Sequence, residues 1–227
     1  LLDVTGGAGD DTIDGNDNVN TIDGGAGDDT ITTGASADDV IGGTGNDTIT
    51  TAAGDDVIDS GSGNDTINAG LGADTITSGT GTDEFIYTAL AESTQTNKDV
   101  ITDFESGVDH FNFLTLADGQ AVELAGNAAT FGESQGLIND GSGKLEAVFQ
   151  QDTNTLWIDL NDDGTLNAED LQVQLDGVTT LVQADMGGNL ITLTAPNARV
   201  SNAINTNATN VTTVGSDFIA SSVVNMV

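Results

Sequence analysis

The chain has 227 residues, with 37 acidic side chains against three basic ones, for a formal charge of -34. That length is enough for two modest domains and a core of ordinary size, and that charge excludes nucleic acid as a partner. There is no cysteine, hence no disulfide framework, and no stretch of about 18 apolar residues that would span a membrane. The opening Leu1-Leu2-Asp3 carries neither a methionine nor a charged-then-apolar leader. It reads as the start of a fragment, or of the processed end of a longer protein.

Nine consecutive nonapeptides run from Gly6 to Ile86 in one frame. The clearest copy is Gly24-Gly25-Ala26-Gly27-Asp28-Asp29-Thr30-Ile31-Thr32. The eighth position reads Ile13, Ile22, Ile31, Val40, Ile49, Ile58, Ile67, Ile76 and Phe85. The sixth reads Asp11, Asn20, Asp29, Asp38, Asp47, Asp56, Asp65, Asp74 and Asp83. The glycine-rich half must turn and the last three residues must extend, with only the eighth side chain pointing inward. One turn cannot bury its own apolar residue, so several must stack. The expected fold is all-β: a flattened, right-handed parallel β-roll (β-solenoid) over residues 1–86, two nonapeptides to a coil.

In such a roll the sixth-position side chains fall into two columns. One holds Asp11, Asp29, Asp47, Asp65 and Asp83; the other holds Asn20, Asp38, Asp56 and Asp74. Neighbouring turns lie roughly 5 Å apart, where like carboxylates repel by a kcal/mol or more at surface dielectric. The bases are Lys98, Lys144 and Arg199, so none lies within the repeats to relieve this. Hard divalent cations are the natural relief. Carboxylate and carbonyl oxygens on a flexible loop suit Ca²⁺ better than Mg²⁺, and the absence of His and Cys there argues against zinc and copper.

The block resembles the repeats-in-toxin (RTX) family, whose motif is G-G-x-G-x-D-x-U-x. The resemblance implies a β-roll that binds several Ca²⁺ ions and folds when it does so, carried by proteins exported through type I secretion machinery. It also implies a chain that stays unfolded in the low-calcium cytosol and folds outside the cell. Asn20 departs from the pattern by lacking a carboxylate. Gly15-Asn16-Asp17-Asn18 and Thr33-Gly34-Ala35-Ser36 lose glycines, so sites at those turns are expected to be weaker or absent.

From Phe85-Ile86-Tyr87 onward the composition shifts to aromatics and alternating segments. Strands are expected in Val100 to Phe104, His110 to Leu114, Lys144 to Phe149, Thr155 to Leu160 and Leu171 to Leu175. Residues 87–186 are read as a β-sandwich-like capping domain. The stretch Asp99-x-Ile101-x-Asp103-Phe104-x-x-Gly107-x-Asp109 and the strand entering an Asp-Asn-Asp-Gly loop resemble the C-terminal domain of serralysin-type secreted metalloproteases. Asp159 to Asp170 fits an EF-hand loop through Asp159, Asn161, Asp163, Thr165 and Asp170. The same residues equally suit a hairpin that packs Leu156, Ile158 and Leu160 against Leu171, Val173 and Leu175. Residues 187–227 are rich in Asn and Thr and are read as short strands or a loose tail, with a possible export signal at the end.

No catalytic constellation is present. A serralysin active site needs three histidines, and the chain has only His110. No nucleophile elbow, P-loop or dinucleotide fingerprint occurs. The expected function is therefore a non-catalytic, extracellular calcium-binding module. It would form the C-terminal secretion or structural region of a large bacterial surface protein, an S-layer protein or adhesin, with self-association or cell-surface attachment among its roles. The alternative is the export and folding module of a secreted metalloprotease or lipase. A third reading, calcium-dependent ice binding, draws on Thr-Ile-Thr at Thr30–Thr32, Thr48–Thr50 and Thr75–Thr77. The mixed turn rows Ala26, Thr44, Ser62, Thr80 and Asp28, Asn46, Asn64, Thr82 count against it.

Overall fold

A computed structural model describes residues 2–113, 123–130, 146–159, 165–168 and 170–186. All of these fall within one compact unit, Leu1–Asn189. The tail expected over 187–227 lies outside the described residues.

Sixteen strands follow one another in the described chain. They are β1 (Leu2–Ala8), β2 (Thr12–Asp14), β3 (Asn20–Ala26), β4 (Thr30–Thr32), β5 (Asp39–Thr44), β6 (Thr48–Thr50), β7 (Val57–Ser62) and β8 (Thr66–Asn68). Then come β9 (Thr75–Thr77), β10 (Glu84–Ile86), β11 (Asp99–Ile101), β12 (His110–Asn112), β13 (Glu123–Ala128), β14 (Glu146–Gln150), β15 (Thr155–Asp159) and β16 (Leu171–Leu175). Odd strands of the repeat form one parallel sheet in the order β1-β3-β5-β7-β9-β11, and even strands form the other, β12-β10-β8-β6-β4-β2. Consecutive nonapeptides thus alternate between two faces of a parallel β-solenoid, and pairing advances by 18 residues, as in Ile31↔Ile49 and Ile49↔Ile67.

The eighth-position side chains form the core between the sheets. Ile22, Ile31, Val40 and Ile49 have no exposed surface, and Ile58, Ile67, Ile76 and Phe85 have 1%. Burial of this stack supplies the hydrophobic stabilisation that no single coil has by itself. Ile101 and Phe111 extend the stack beyond the last nonapeptide. Aromatic rings fill its far end: Phe104 stacks on Phe111 at 4.9 Å, Phe111 on Phe113 at 5.5 Å, and Phe85 sits 5.7 Å from Phe111.

The sandwich-like cap expected over 87–186 is not confirmed. The described strands of that region continue the sheets of the roll. β11 pairs parallel with β9 on one side and with β16 on the other, through Asp99↔Val173 and Ile101↔Leu175. β15 and β14 then add antiparallel, and β13 parallel, completing a ten-stranded sheet. The hairpin register Leu156↔Val173 and Ile158↔Leu171 puts these apolar residues opposite one another, as the alternation requires. The inner face of the added strands, Phe149, Leu156, Ile158, Leu171, Val173 and Leu175, belongs to the same hydrophobic cluster as the roll. The added strands can share the roll's sheet because β11 presents an open edge whose backbone groups must find partners.

Two of the three Thr-Ile-Thr segments, β4 and β6, are neighbours on the six-stranded sheet, whereas Thr75–Thr77 is β9 of the other sheet.

A candidate metal-binding ladder

Each nonapeptide places its sixth residue where the glycine loop meets the strand, and the 18-residue pairing stacks these residues. The result is a ladder in which one carboxylate oxygen accepts from the backbone N–H of the rung before it. Asp11 N donates to Asp29 Oδ1 at 2.8 Å, Asp29 N to Asp47 Oδ1 at 2.8 Å, Asp47 N to Asp65 Oδ1 at 2.8 Å and Asp65 N to Asp83 Oδ1 at 3.0 Å. In the second column Asn20 N donates to Asp38 Oδ1 at 2.7 Å, Asp38 N to Asp56 Oδ1 at 2.7 Å and Asp56 N to Asp74 Oδ1 at 2.8 Å. The two columns expected from the period are thus brought together as columns.

Two further rungs escaped the sequence reading. Asp74 N donates to Asp99 Oδ1 at 3.1 Å, and Asp83 N donates to Asp109 Oδ1 at 3.1 Å. The rung spacing there is 25 and 26 residues instead of 18. The signal that would have found them is the Asp-x-aliphatic or Asp-x-aromatic triplet, in Asp99-Val100-Ile101 and Asp109-His110-Phe111.

The second carboxylate oxygens divide the ladder. Those of Asp29, Asp38, Asp47, Asp56, Asp65, Asp74 and Asp83 are buried and, among the described residues, meet no hydrogen-bond donor. The nearby Thr51, Ser60 and Ser78 hydroxyls donate instead to Ala69 O, Ser78 O and Asp103 Oδ1. A buried ionised oxygen without a donor or cation costs several kcal/mol. At the last rungs the protein supplies the donor itself. Tyr87 Oη donates to Asp99 Oδ2 at 3.0 Å, and Glu105 N donates to Asp109 Oδ2 at 2.8 Å. Among the described residues no three acidic, His or Cys side chains converge as a ready metal cluster. A ladder offers one carboxylate per rung, so any cation held there must take its remaining ligands from loop carbonyls. Hard oxygen donors, orphaned anionic oxygens and uncompensated charge together fit Ca²⁺.

Burial raises seven carboxyl groups of the ladder, Asp47, Asp56, Asp65, Asp74, Asp83, Asp99 and Asp109, above the ordinary value of 3.8. It pushes Asp56 and Asp65 up to about 6, Asp74 up to about 7 and Asp99 up to about 8. Asp47, Asp83 and Asp109 are also raised, again chiefly by desolvation. The metal-free fold therefore holds protons that the unfolded chain releases. The stability linked to them is fully present below the unfolded pKa and is lost as pH rises through about 6 to 8. Metal-free protein, prepared on a chelating resin, is expected to gain strand signal in circular dichroism when taken from pH 8.5 to pH 5. A signal that stays flat or falls on acidification would contradict the burial of these groups.

The EF-hand-like set is only partly within view. Asp159 ends β15 and Asp170 immediately precedes β16, so both flank the Ile158↔Leu171 pair. Both are buried, and Asn167 N donates to Asp170 Oδ2 at 2.7 Å. Thr165 is exposed. Asn161 and Asp163 lie outside the described residues. His110 projects beside Glu84, with Nε2 3.6 Å from Glu84 Oε1, on the outer side of the six-stranded sheet.

Two parallel sheets wound from an 18-residue coil, with stacked Asp ladders at the turns, define a β-roll of the repeats-in-toxin kind. The family model for the peptidase M10 serralysin C terminal matches residues 2–187, and the chain belongs to that family. No curated protein matches the chain. The family match runs unbroken past the end of the nonapeptides, in keeping with the sheet that continues there. RTX β-rolls generally bind calcium. This domain is the non-catalytic C-terminal part of serralysin-like proteins, and it belongs to proteins that are secreted. Among the described residues no helix is long and apolar enough to cross a membrane.

Proposed function

We propose that the chain is a non-catalytic module that folds when several Ca²⁺ ions enter its two ladders outside the cell. The seven buried carboxylate oxygens without donors carry this reading. The ligand residues are Asp11, Asp29, Asp47, Asp65 and Asp83 in one column and Asp38, Asp56 and Asp74 in the other. Each supplies carboxylate oxygen, and the glycine loops supply carbonyls. Bound calcium provides the positive charge that lets desolvated carboxylates stay ionised. The chain's own part is to hold those carboxylates in register through the backbone N–H of the neighbouring rung.

Folding coupled to ion binding makes order depend on the calcium level. A chain that is loose where calcium is scarce and ordered where it is millimolar is suited to passage through a type I exporter. The parent is proposed to be a large surface protein, an S-layer protein or adhesin, on the Asn/Thr-rich composition of 187–227. A secreted metalloprotease or lipase is the second reading, favoured by the serralysin C-terminal match.

Circular dichroism of chelated protein during a calcium titration tests the proposal. A coil-to-strand transition completed by millimolar Ca²⁺ is expected, and a chelated chain already as strand-rich as the loaded one at neutral pH overturns it. Light scattering in the same titration reads the proposed self-association, and a particle that stays monomeric throughout counts against that role.

A further inference from the structure

Asn20 is the one sixth-position residue without a carboxylate, and the structure shows what its amide does instead. It is fully buried. Its Nδ2 donates to Asn16 O at 2.8 Å, to Asn18 O at 2.5 Å and to Asp38 Oδ1 at 2.9 Å. Its Oδ1 accepts from Asn16 N at 3.3 Å. Two loop carbonyls and one carboxylate thus converge on a single nitrogen, which has only two hydrogens to share among three oxygens. That is the surrounding of a hard cation. The network also sets the orientation of the amide, because reversing it would point an oxygen at three acceptors.

In the coil of Asp29 the loop carbonyls four and two residues upstream belong to Gly25 and Gly27. There the sixth side chain is a carboxylate whose second oxygen meets no donor among the described residues. The exchange of Asp for Asn therefore goes with an exchange of partner, from an external positive charge to a built-in N–H donor. The loop around Asn20 is adapted to match. Asn16 Oδ1 accepts from Asn18 N at 2.9 Å and from Asn18 Nδ2 at 2.8 Å, holding a turn that has lost its paired glycines.

We propose that the Asn16–Asn20 turn is a calcium-free rung, in which the side-chain amide of Asn20 takes the place of the ion and closes its column without metal. This rests on the calcium-folding reading above. It makes that turn indifferent to calcium, and it implies that Asn20→Asp creates a site where the natural chain has none.

The test counts calcium bound per chain by isothermal titration, starting from metal-free protein, for wild type and Asn20→Asp, with strand content followed in parallel. Asn20→Asp is expected to bind about one more Ca²⁺ than wild type. In calcium-loaded wild type, the Asn20 side-chain amide protons are expected to exchange with solvent at least about tenfold more slowly than those of an exposed Asn. Equal stoichiometry with full strand signal in both proteins overturns the inference. Should Asn20→Asp fail to reach the wild-type signal, the exchange measurement decides: slow exchange supports a satisfied amide, and fast exchange overturns it. Wild type that binds no calcium at all would overturn the underlying functional reading. Calcium-bound wild type with an unchanged Asn20→Asp count overturns this inference alone.

Discussion

Replacing Asp47 and Asp65 together with alanine is expected to raise the calcium needed for half-folding by at least about tenfold and to leave the strand signal incomplete at millimolar Ca²⁺. The two residues are adjacent rungs of one column. Their loss removes two of the orphaned oxygens, and it removes the acceptors for the buried N–H groups of Asp29 and Asp47. An unsatisfied buried N–H costs about 1–3 kcal/mol. A site held at a hundred times its Kd contributes about 2.7 kcal/mol to folding. Two of each approach the whole stability of a small domain, which is about 5–15 kcal/mol. The pair Asp47→Asn and Asp65→Asn separates the two causes, because an amide oxygen still accepts the backbone hydrogen bond but brings no charge. The Asn pair is expected to lose calcium affinity nearly as badly as the Ala pair. An Asn pair that titrates like wild type would show that the ladder matters only as a hydrogen-bond spine.

The second large effect is expected at Gly63. Its φ is +137°, and a Cβ there would lie 1.7 Å from the carbonyl oxygen of Gly45 in the coil before it. Both coils are pinned by backbone hydrogen bonds, from Gly45 N to Ser62 O at 2.8 Å and from Gly63 N to Thr80 O at 2.9 Å. Neither partner can yield as a flexible side chain would. Gly63→Ala must therefore separate two stacked turns, and a loss above about 4 kcal/mol is expected, the range reserved for severe steric or core damage. Gly107→Ala is the control. Its φ is +85°, but among the described residues nothing lies within 4 Å of the added carbon. It should lose only about 1–2 kcal/mol, the cost of the left-handed backbone. Urea unfolding in saturating calcium measures both. Equal losses would mean that backbone conformation, and not the close approach of coils, makes glycine necessary there.

The ladder and glycine variants probe the parts of the molecule that a linear reading reaches most directly. A period of nine residues with one inward aliphatic is sufficient to specify the roll, because only stacking of coils buries Ile22 through Phe85, and only one register stacks them. The same period aligns the sixth residues, so both columns from Asp11 and Asn20 onward follow from counting. The charge argument follows from it too, since no Lys or Arg falls within the repeats. All of this is local and repetitive, and repetition turns a weak local preference into a definite register.

What the amino-acid order left open are features in which the partner is distant or the period breaks. Asp99 and Asp109 continue the columns only because loops of irregular length bring their strands back into the sheets, and the sequence offers no count to follow across those loops. The strands after them resemble a separate sandwich when read alone, since alternation reports a half-buried face without saying what buries it. The open edge of β11 decided that they extend the roll. The role of Asn20 was the least legible. Its missing charge reads as a weakened site until the folded loop shows three oxygens gathered around its amide, and that convergence is a property of backbone placement in space, invisible at the level of residue types.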